Sequence, residues 1–211
     1  MAKGLLLAAF NFSNAAEDEF HDWYDTEHIP ERQRVPGFVT LQRWLGANDA
    51  KISVATYDLE TVGILASPAY KAIGGPNLSP WSKRITAKCE RLLRFEGEQT
   101  LPGDQVSPAH AGVLLLNAMN VDPEIETEFN TWYDEEHIPA LAAVSGVLCA
   151  RRFRATQGGV KYVALYHVTA PEVVASAEWK QAVETPWTQR IRPHMRDHLR
   201  VVCKAYQRSR S

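Results

Sequence analysis

Apolar and polar positions follow the same order twice along this chain. Short apolar runs that end in asparagine predict a first strand in each half, at 4–12 and 112–121. A helix is predicted after each run, because apolar residues recur there at helical spacing. Hairpins, a second helical region and a closing strand follow. The strands predicted to complete the two halves are 38–46, 52–59 and 89–96, and 147–155, 160–168 and 199–206.

The strongest sign that the halves are related is an octapeptide that occurs twice. WYDTEHIP spans 23–30 and WYDEEHIP spans 132–139, and neighbouring positions match at the same spacing. The spacing then shortens by three residues at SPWSKRI (79–85) and TPWTQRI (185–191). A return to the original spacing is expected at Leu92 and Val201. The sequence therefore predicts two copies of one β-α-β-β-α-β unit.

The predicted fold class is α+β, with two tandem ferredoxin-like β-α-β-β-α-β units. A sheet with helices on one face leaves an apolar second face that must be covered. We expect the two units to pack sheet to sheet, as an α+β barrel within one chain. The turn-rich segment GEQTLPGDQVSPAH indicates a linker. The predicted division is repeat 1 at 1–98, a linker at 99–110 and repeat 2 at 111–211.

The composition limits the classes of partner. Of 211 residues, 45% are hydrophobic and 23% are charged, and the net charge of −2 argues against a nucleic-acid surface. No apolar stretch reaches the roughly 20 residues that span a bilayer, and no secretion signal is expected. The three cysteines are sparse, which is typical of a reducing compartment. We therefore expect a cytoplasmic monomer or homodimer that binds a small-molecule substrate, and neither nucleic acid nor membrane.

The octapeptide supplies the candidate catalytic groups, which are His28 and His137 with Tyr24 and Tyr133. Imidazole suits general acid–base chemistry because its ordinary pKa lies close to neutral pH. The tyrosines, one helical turn earlier, would bind or orient the substrate. The acids Asp25 and Asp134, three residues before the histidines, would orient the imidazoles. The alternative is that the octapeptide is a structural element, needed once in each half.

Other polar and aromatic positions that match between the halves are candidate substrate contacts. The asparagines would donate to an oxyanion, the strand arginines would need an acid or a ligand carboxylate, and the tryptophans would wall a cavity. Each also has a structural interpretation, as a turn cap, a paired arginine or a core aromatic. The candidate substrate-binding residues are Asn11, Asn120, Trp23, Trp132, Arg43, Arg152, Trp81 and Trp187.

Positions that differ between the halves bear on whether one half holds a single site. After the octapeptide the first copy has Arg32 and Arg34, where the second has Leu141 and Ala143. A cationic rim suits a carboxylate, since arginine binds one through two parallel hydrogen bonds. A solvated helix face is the alternative interpretation.

No metal or organic cofactor is predicted. His21, Asp25 and His28 have a spacing that one ion could bridge, but the second copy has Asn130 in place of the first histidine. The sequence contains no HExxH, P-loop, dinucleotide-binding or GxSxG motif. Haem needs only one proximal histidine, and no haem motif stands out.

The motif F-x-x-W-[YD]-x-x-x-H-x-P, followed by a turn and a strand, resembles the EthD-like branch of the dimeric α+β barrel superfamily. It consists of Phe20, Trp23, His28, Pro30, Pro36 and Gly37, and again of Phe129, Trp132, His137, Pro139 and Gly146, with Ser145 in place of the second proline. The resemblance implies the barrel fold. It also implies one of many chemistries, including cofactor-free monooxygenases, cyclases, dehydratases, decarboxylases, lactone isomerases and haem-dependent enzymes.

From these residues and this resemblance we expect a cofactor-independent lyase or isomerase for a small aromatic or lactone-like metabolite. A histidine would move the proton, and tyrosine with asparagine or arginine would stabilise the resulting anion. Decarboxylation, dehydration and isomerisation all pass through such an anion, and the sequence does not rank them. Two alternatives remain open: a cofactor-free or haem-dependent oxygenase, and a small-molecule-binding protein without catalytic activity.

Overall fold

A computed structural model describes residues 1–208, in which eight strands close into one antiparallel barrel. The strands are β1 (Gly4–Asn11), β2 (Phe38–Gly46), β3 (Ile52–Leu59), β4 (Glu90–Leu101), β5 (Val113–Val121), β6 (Val147–Gln157), β7 (Tyr162–Val168) and β8 (Met195–Ala205). The helices are α1 (Glu17–Trp23), α2 (Ile29–Gln33), α3 (Pro68–Lys71), α4 (Pro80–Lys88), α5 (Glu126–Trp132), α6 (Ile138–Ala142), α7 (Ala177–Val183) and α8 (Pro186–Ile191). Short 3-10 turns span Val62–Ala66, Gly75–Asn77, Pro123–Ile125, Val173–Ala175 and Arg192–His194.

The strand order is the same in the two halves of the barrel. It runs β4-β1-β3-β2 in the first half and β8-β5-β7-β6 in the second, with β2 beside β8 and β4 beside β6. The predicted α+β barrel is therefore confirmed. Strand β4 continues to Leu101, inside the segment 99–110 that the sequence indicated as a linker. The division into 1–98, 99–110 and 111–211 stays a prediction.

The register of β4 and β8 corrects one expected correspondence. Phe95 lies opposite Leu7 in the first half, and Val201 lies opposite Leu116 in the second. Val201 is therefore the counterpart of Phe95 and not of Leu92, because the three-residue difference between the halves persists through the last strand. The same register makes Arg200 the counterpart of Arg94.

Both faces of the sheet are covered by apolar side chains. Alternate residues of a strand point to opposite faces, so Leu5 and Leu7 enter the barrel interior while Leu6 packs under the first-half helices. In β5, Leu114 faces the interior and Leu115 the helices. Burial on both faces explains why these strands have continuous apolar sequences rather than alternating ones.

A five-residue π-helical turn lies between the paired helices of each half. Tyr24–His28 joins α1 to α2, and Tyr133–His137 joins α5 to α6. Pro30 and Pro139, the prolines of the octapeptide, do not end the helical segment, because α2 and α6 continue through them. Each proline lies in the first turn of the new helical segment, where its missing N–H costs little.

No helix in residues 1–208 combines the length and apolar character needed to cross a membrane.

One fully buried ion pair joins the two halves inside the barrel. Arg151 of β6 donates from Nη1 to Oδ1 of Asp58 in β3 at 2.7 Å, and both side chains are fully buried. Ser107, in the segment between the halves, donates to Oδ2 of Asp58 from its backbone N and its Oγ, each at 2.6 Å. Arg151 Nη2 also donates to Ser107 Oγ, at 2.9 Å. Thr40 Oγ1 of β2 also donates to Oδ2 of Asp58, at 2.7 Å, so the carboxylate is satisfied by donors from three parts of the chain.

Candidate functional site

The π-helical turn decides where the octapeptide histidines point. The His28 ring packs on Trp23, with ring centroids 4.5 Å apart, and lies edge-on to Tyr24 at 5.1 Å. In the second half His137 packs on Trp132 at 4.2 Å. The wider turn brings residues five apart onto one face, so each histidine lies over its tryptophan. Both rings reach cavities between the helices and the sheet.

The first pocket is a cavity of about 380 Å³ between β1, β3, β4 and the first-half helices. Phe10 and Trp23 give it apolar walls, and the Tyr57 hydroxyl comes from β3. Its charged lining residues are Arg32 from α2 and Arg91 and Arg94 from β4, and His28 completes the polar set. A volume of this size falls within the range of small-molecule sites, about 300–1,000 Å³.

The second pocket, of about 200 Å³, occupies the corresponding place in the second half. His137 and Trp132 line it, as does Asn117 of β5 where the first pocket has Ala8. Leu141 stands at the position that corresponds to Arg32. Its basic lining residues are Arg192, His198 and Arg200, and Arg192 is paired with Glu184 at 2.6 Å. The second pocket is smaller, and the buried arginine of the first is replaced by an apolar side chain.

Both octapeptide histidines are neutral at physiological pH. Burial lowers the pKa of His28 well below its usual value, and the charges of Arg32, Arg43 and Arg94 lower it further. Burial also lowers the pKa of His137 to about 3, with Arg152 and Arg192 contributing. Nδ1 of each ring is buried and has no hydrogen-bond partner within residues 1–208. No partner fixes a ring tautomer, so Nε2 is free to donate or to accept a proton.

Tyr57 and Tyr70, rather than Tyr24, are the tyrosines that line the first pocket. Tyr24 was expected to contact a substrate, but its ring is buried behind the cavity with the Arg43 guanidinium 4.3 Å from its centroid. Burial raises the pKa of Tyr24 to about 12 and that of Tyr57 well above the usual value, so both hydroxyls keep their protons. Tyr133 does line the second pocket, and its hydroxyl lies 3.7 Å from the sulfur of Met119.

The acids of the octapeptide do not orient the histidines as expected. Asp25 Oδ1 accepts from Arg43 Nη1 of β2 at 2.6 Å, and Asp134 Oδ1 accepts from Arg152 Nη1 of β6 at 3.0 Å. The π-helical turn rotates each acid away from its histidine and toward the neighbouring strand. Each acid–arginine pair therefore holds a helix to the sheet outside the pocket.

The six expected substrate contacts besides the strand arginines either lie away from the pockets or form their walls. Asn11 caps its own turn by accepting from Ser13, and Asn120 bonds to Gly159, Lys161 and Asp197. Both asparagines therefore hold loops. Trp81 packs on the core behind the first pocket, and Trp187 donates to Glu128 at 3.0 Å. Trp23 and Trp132, with their histidines, are the expected residues that line the pockets, as does Tyr133 in the second.

Tyr57 and Arg94 are among the lining residues of the first pocket that sequence reasoning missed. Tyr57 matches Tyr166 in the repeat, which signalled a shared structural place without assigning it to a cavity. Arg94 lies on the last strand, where the expected correspondence between halves was three residues out of register. The octapeptide drew attention to the helix, whereas much of the cavity's polarity comes from β3 and β4.

The two histidines do not fit haem ligation. A histidine that binds a metal nearly always donates its other ring N–H to a carboxylate, a carbonyl or water. Nδ1 of His28 and Nδ1 of His137 are both buried without a protein acceptor among residues 1–208, and each ring packs flat or tilted against a tryptophan. The same part of the chain holds no cluster of three His, Cys, Asp or Glu side chains placed for a metal ion.

Comparison with protein families gives one partial match. Residues 113–195 match a domain of unknown function, DUF4286, which covers the second pocket's helices but less than half of the chain. No curated protein matches this sequence.

Solved structures resemble almost the whole chain. A candidate monooxygenase from Fusobacterium nucleatum is 10% identical, with 98% of this chain and 93% of that chain covered and a TM-score of 0.68. An anthrone oxidase-like protein is 10% identical, with 97% and 92% covered and a TM-score of 0.62. A mutant chlorite dismutase from Candidatus Nitrospira defluvii, in complex with cyanide, is 12% identical, with 97% and 91% covered and a TM-score of 0.62.

These names contradict the expected lyase or isomerase. They describe reactions of oxygen or of an oxygen-rich anion and favour the oxygenase alternative instead. At such low identity the likeness is one of architecture. The chain shares the α+β barrel fold of these proteins, with its own eight antiparallel strands closed into one barrel.

Proposed function

We propose that this chain is an oxygenase that acts on an enolisable phenol or ketone in the first pocket, without a metal or an organic cofactor. The observation that carries the proposal is a neutral His28 at the wall of a 380 Å³ cavity that three arginines also line. A substrate that loses a proton there leaves an anion among fixed positive charges. We also propose that the chain belongs to the EthD-like branch of the dimeric α+β barrel superfamily.

Proton removal comes first in the proposed reaction. His28 is unprotonated in the empty pocket, so it takes a proton from the substrate carbon or hydroxyl. Its lowered pKa makes it a weak base, and the new anion offsets this because an opposite charge nearby favours imidazolium. The Tyr57 hydroxyl, a protonated donor, stabilises the enolate oxygen, and the positive charges of the lining arginines favour the anion.

Molecular oxygen is the co-reactant and the oxidant. An enolate is electron-rich enough to pass electrons to oxygen, after which a C–O bond forms at the deprotonated carbon. Loss of water across the resulting hydroperoxide gives a ketone. The balance is one CH₂ group and one O₂ to one C=O group and one H₂O, so no external reductant is needed. The apolar wall of Phe10 and Trp23 limits water around the carbanion.

Anthrone is the first substrate to test, because one structural relative is described as anthrone oxidase-like. We expect the natural chain to consume one O₂ for each anthrone converted to anthraquinone, measured with an oxygen electrode and by absorbance. His28→Ala should lower kcat about 100-fold or more, the scale of a lost general base. His137→Ala is the matched control, since it removes the same ring from the smaller second pocket, and it should keep most of the activity.

Two outcomes contradict the proposal. If the natural chain does not accelerate oxygen uptake above the rate of anthrone alone, with anthrone shown by calorimetry to bind, the protein is a binder and not an oxygenase. If His137→Ala abolishes activity and His28→Ala does not, the reaction takes place in the second pocket. The stoichiometry of oxygen distinguishes a monooxygenation from non-specific oxidation that releases hydrogen peroxide.

We also expect a monomer. Dimers of single-unit barrels bury the apolar sheet face between subunits, whereas in this chain the two halves bury that face against each other. The first and last strands of each four-stranded sheet are paired with the other half, so the barrel offers no open edge for strand pairing. Sedimentation equilibrium at micromolar concentration would show a dimer if this expectation is wrong.

A further inference from the structure

We propose that the substrate of the first pocket carries a carboxylate, and that Arg32 binds it. This inference deepens the proposed function and rests on it. Arg32 is a buried arginine, 3% exposed, that lines the cavity. Burying a guanidinium costs free energy unless hydrogen-bond acceptors satisfy it. The N–H groups of Arg32 that have no protein acceptor therefore indicate which ligand group the pocket binds.

Protein groups satisfy only part of Arg32. Its Nη1 donates to the backbone oxygen of His28 at 3.2 Å and to Oε2 of Glu31 at 2.9 Å. Within residues 1–208 its Nη2 and Nε have no hydrogen-bond acceptor. Neighbouring N–H groups on one edge of a guanidinium match the two oxygens of a carboxylate. The Glu31 contact fixes the other side of the planar group and leaves this edge for a ligand.

The other charges around the cavity leave a net positive balance. Arg94 is paired with Glu96 and donates to the Tyr70 hydroxyl at 3.2 Å. Glu31 balances Arg32 in part. Arg91 has no carboxylate partner in the part of the chain that the structure describes, so three arginines face two carboxylates. A mono-anion would bring the lining close to neutrality, and a neutral ligand would not.

Arg32 also distinguishes the two pockets. The corresponding residue of the second half, Leu141, is 1% exposed and apolar. Most other features are shared, including the histidine on its tryptophan and an arginine of the last strand (Arg94 and Arg200). The carboxylate preference is therefore assigned to the first pocket. The variant Arg32→Leu gives the first pocket the leucine that the second pocket has at the corresponding position.

The probes are 2-naphthoate and 2-naphthamide, which have the same shape and differ in charge. Isothermal titration calorimetry on the natural chain should show 2-naphthoate binding about 10- to 100-fold more tightly than the amide, the scale of a charge-assisted bidentate contact. Arg32→Leu should remove that preference. Arg34→Leu, at the C-terminal cap of the same helix but exposed and outside the pocket, is the matched control and should keep that preference.

A second variant covers the case in which Arg32→Leu does not fold. Arg32→Gln keeps a donor for the His28 carbonyl and removes the charge, and it should lose the preference as well. Equal affinity of the natural chain for the two probes overturns the inference, and so does a preference that survives in both Arg32 variants.

The inference and the proposed function fail separately. If the chain prefers 2-naphthoate but does not consume oxygen with anthrone, the carboxylate inference stands and the oxygenase proposal is wrong. If the chain oxidises anthrone but binds the two probes equally, the oxygenase proposal stands and the carboxylate inference is wrong.

Discussion

At the scale of single residues, His167 shows how the barrel interior treats a titratable group. The ring is 0% exposed, and neither nitrogen has a hydrogen-bond partner within residues 1–208. It lies edge-on to Trp44, with centroids 5.6 Å apart. Burial, and then the charge of Arg151, lowers the pKa of His167 to about 3. The side chain is therefore a neutral space-filler between the two sheets.

The lowered pKa of His167 predicts a loss of stability in mild acid. In the unfolded chain His167 binds a proton below about pH 6.5, whereas in the folded chain it does so only below about pH 3. Between these two values the unfolded state binds more protons, so the free energy of unfolding falls as the pH falls. For this residue the loss between pH 7 and pH 5 is about 2 kcal/mol. His28 and His137 act in the same direction.

The test is the variant His167→Phe, measured by urea unfolding at pH 7 and pH 5. Phenylalanine fills a similar volume and needs no partner, so we expect near-natural stability at pH 7 and a smaller drop at pH 5. An unchanged drop would mean that His167 takes up its proton in the folded chain as readily as in the unfolded one.

At the scale of elements, the turn after α6 depends on one glycine. Gly146 has φ of +88°, and a Cβ there would lie 2.6 Å from Cγ2 of Val173 and 3.0 Å from Oγ1 of Thr169. Valine is stiff at χ1 and yields poorly. Gly37 holds the same place in the first half with φ of +93°. The turn aims β2 and β6 across their helices, which places Arg43 and Arg152 against Asp25 and Asp134.

Gly146→Ala should therefore cost about 2–3 kcal/mol of unfolding free energy, from backbone strain and from the side-chain clash. Gly158→Ala is the matched control. Its φ is +104°, but a Cβ there meets nothing within 4 Å, so we expect only the strain, about 1 kcal/mol. Urea denaturation compares the two, and equal costs would show that Val173 and Thr169 move aside.

At the scale of the whole molecule, the two halves are held together by strand pairing and by the buried Asp58–Arg151 pair. Burial alone would raise the pKa of Asp58, but Arg151 and the two donors of Ser107 outweigh it and hold that pKa below its usual value. A buried ion pair adds little stability over an apolar pair, whereas one partner alone is costly. The pair therefore specifies how the halves and the segment between them fit.

Asp58→Ala should destabilise the chain by about 3–5 kcal/mol, because Arg151 stays buried without its counter-charge. The double variant Asp58→Leu with Arg151→Met should recover most of that loss. Calorimetry should show one transition for the natural chain, since the interior face of each half is covered only by the other half. A loss below about 1 kcal/mol for Asp58→Ala would show that water reaches the guanidinium.

The sequence by itself predicted the order of elements, the same pattern in both halves and the need to cover the second face of each sheet. These features follow from local periodicity and from an octapeptide that occurs twice. Both are visible in the sequence without any knowledge of tertiary contacts. The same information selected His28 and Trp23 as candidate site residues, but the π-helical turn is what put the His28 ring over Trp23.

Only the tertiary structure decided which partners those residues have. The π-helical turn sent Asp25 to Arg43 instead of His28, and the register of β4 put Arg94 into the first pocket. Both outcomes depend on contacts between residues far apart in the chain, and a one-residue change of helical phase or strand register alters every one of them. Local propensity does not contain that information, and so the site had to be read from the packed molecule.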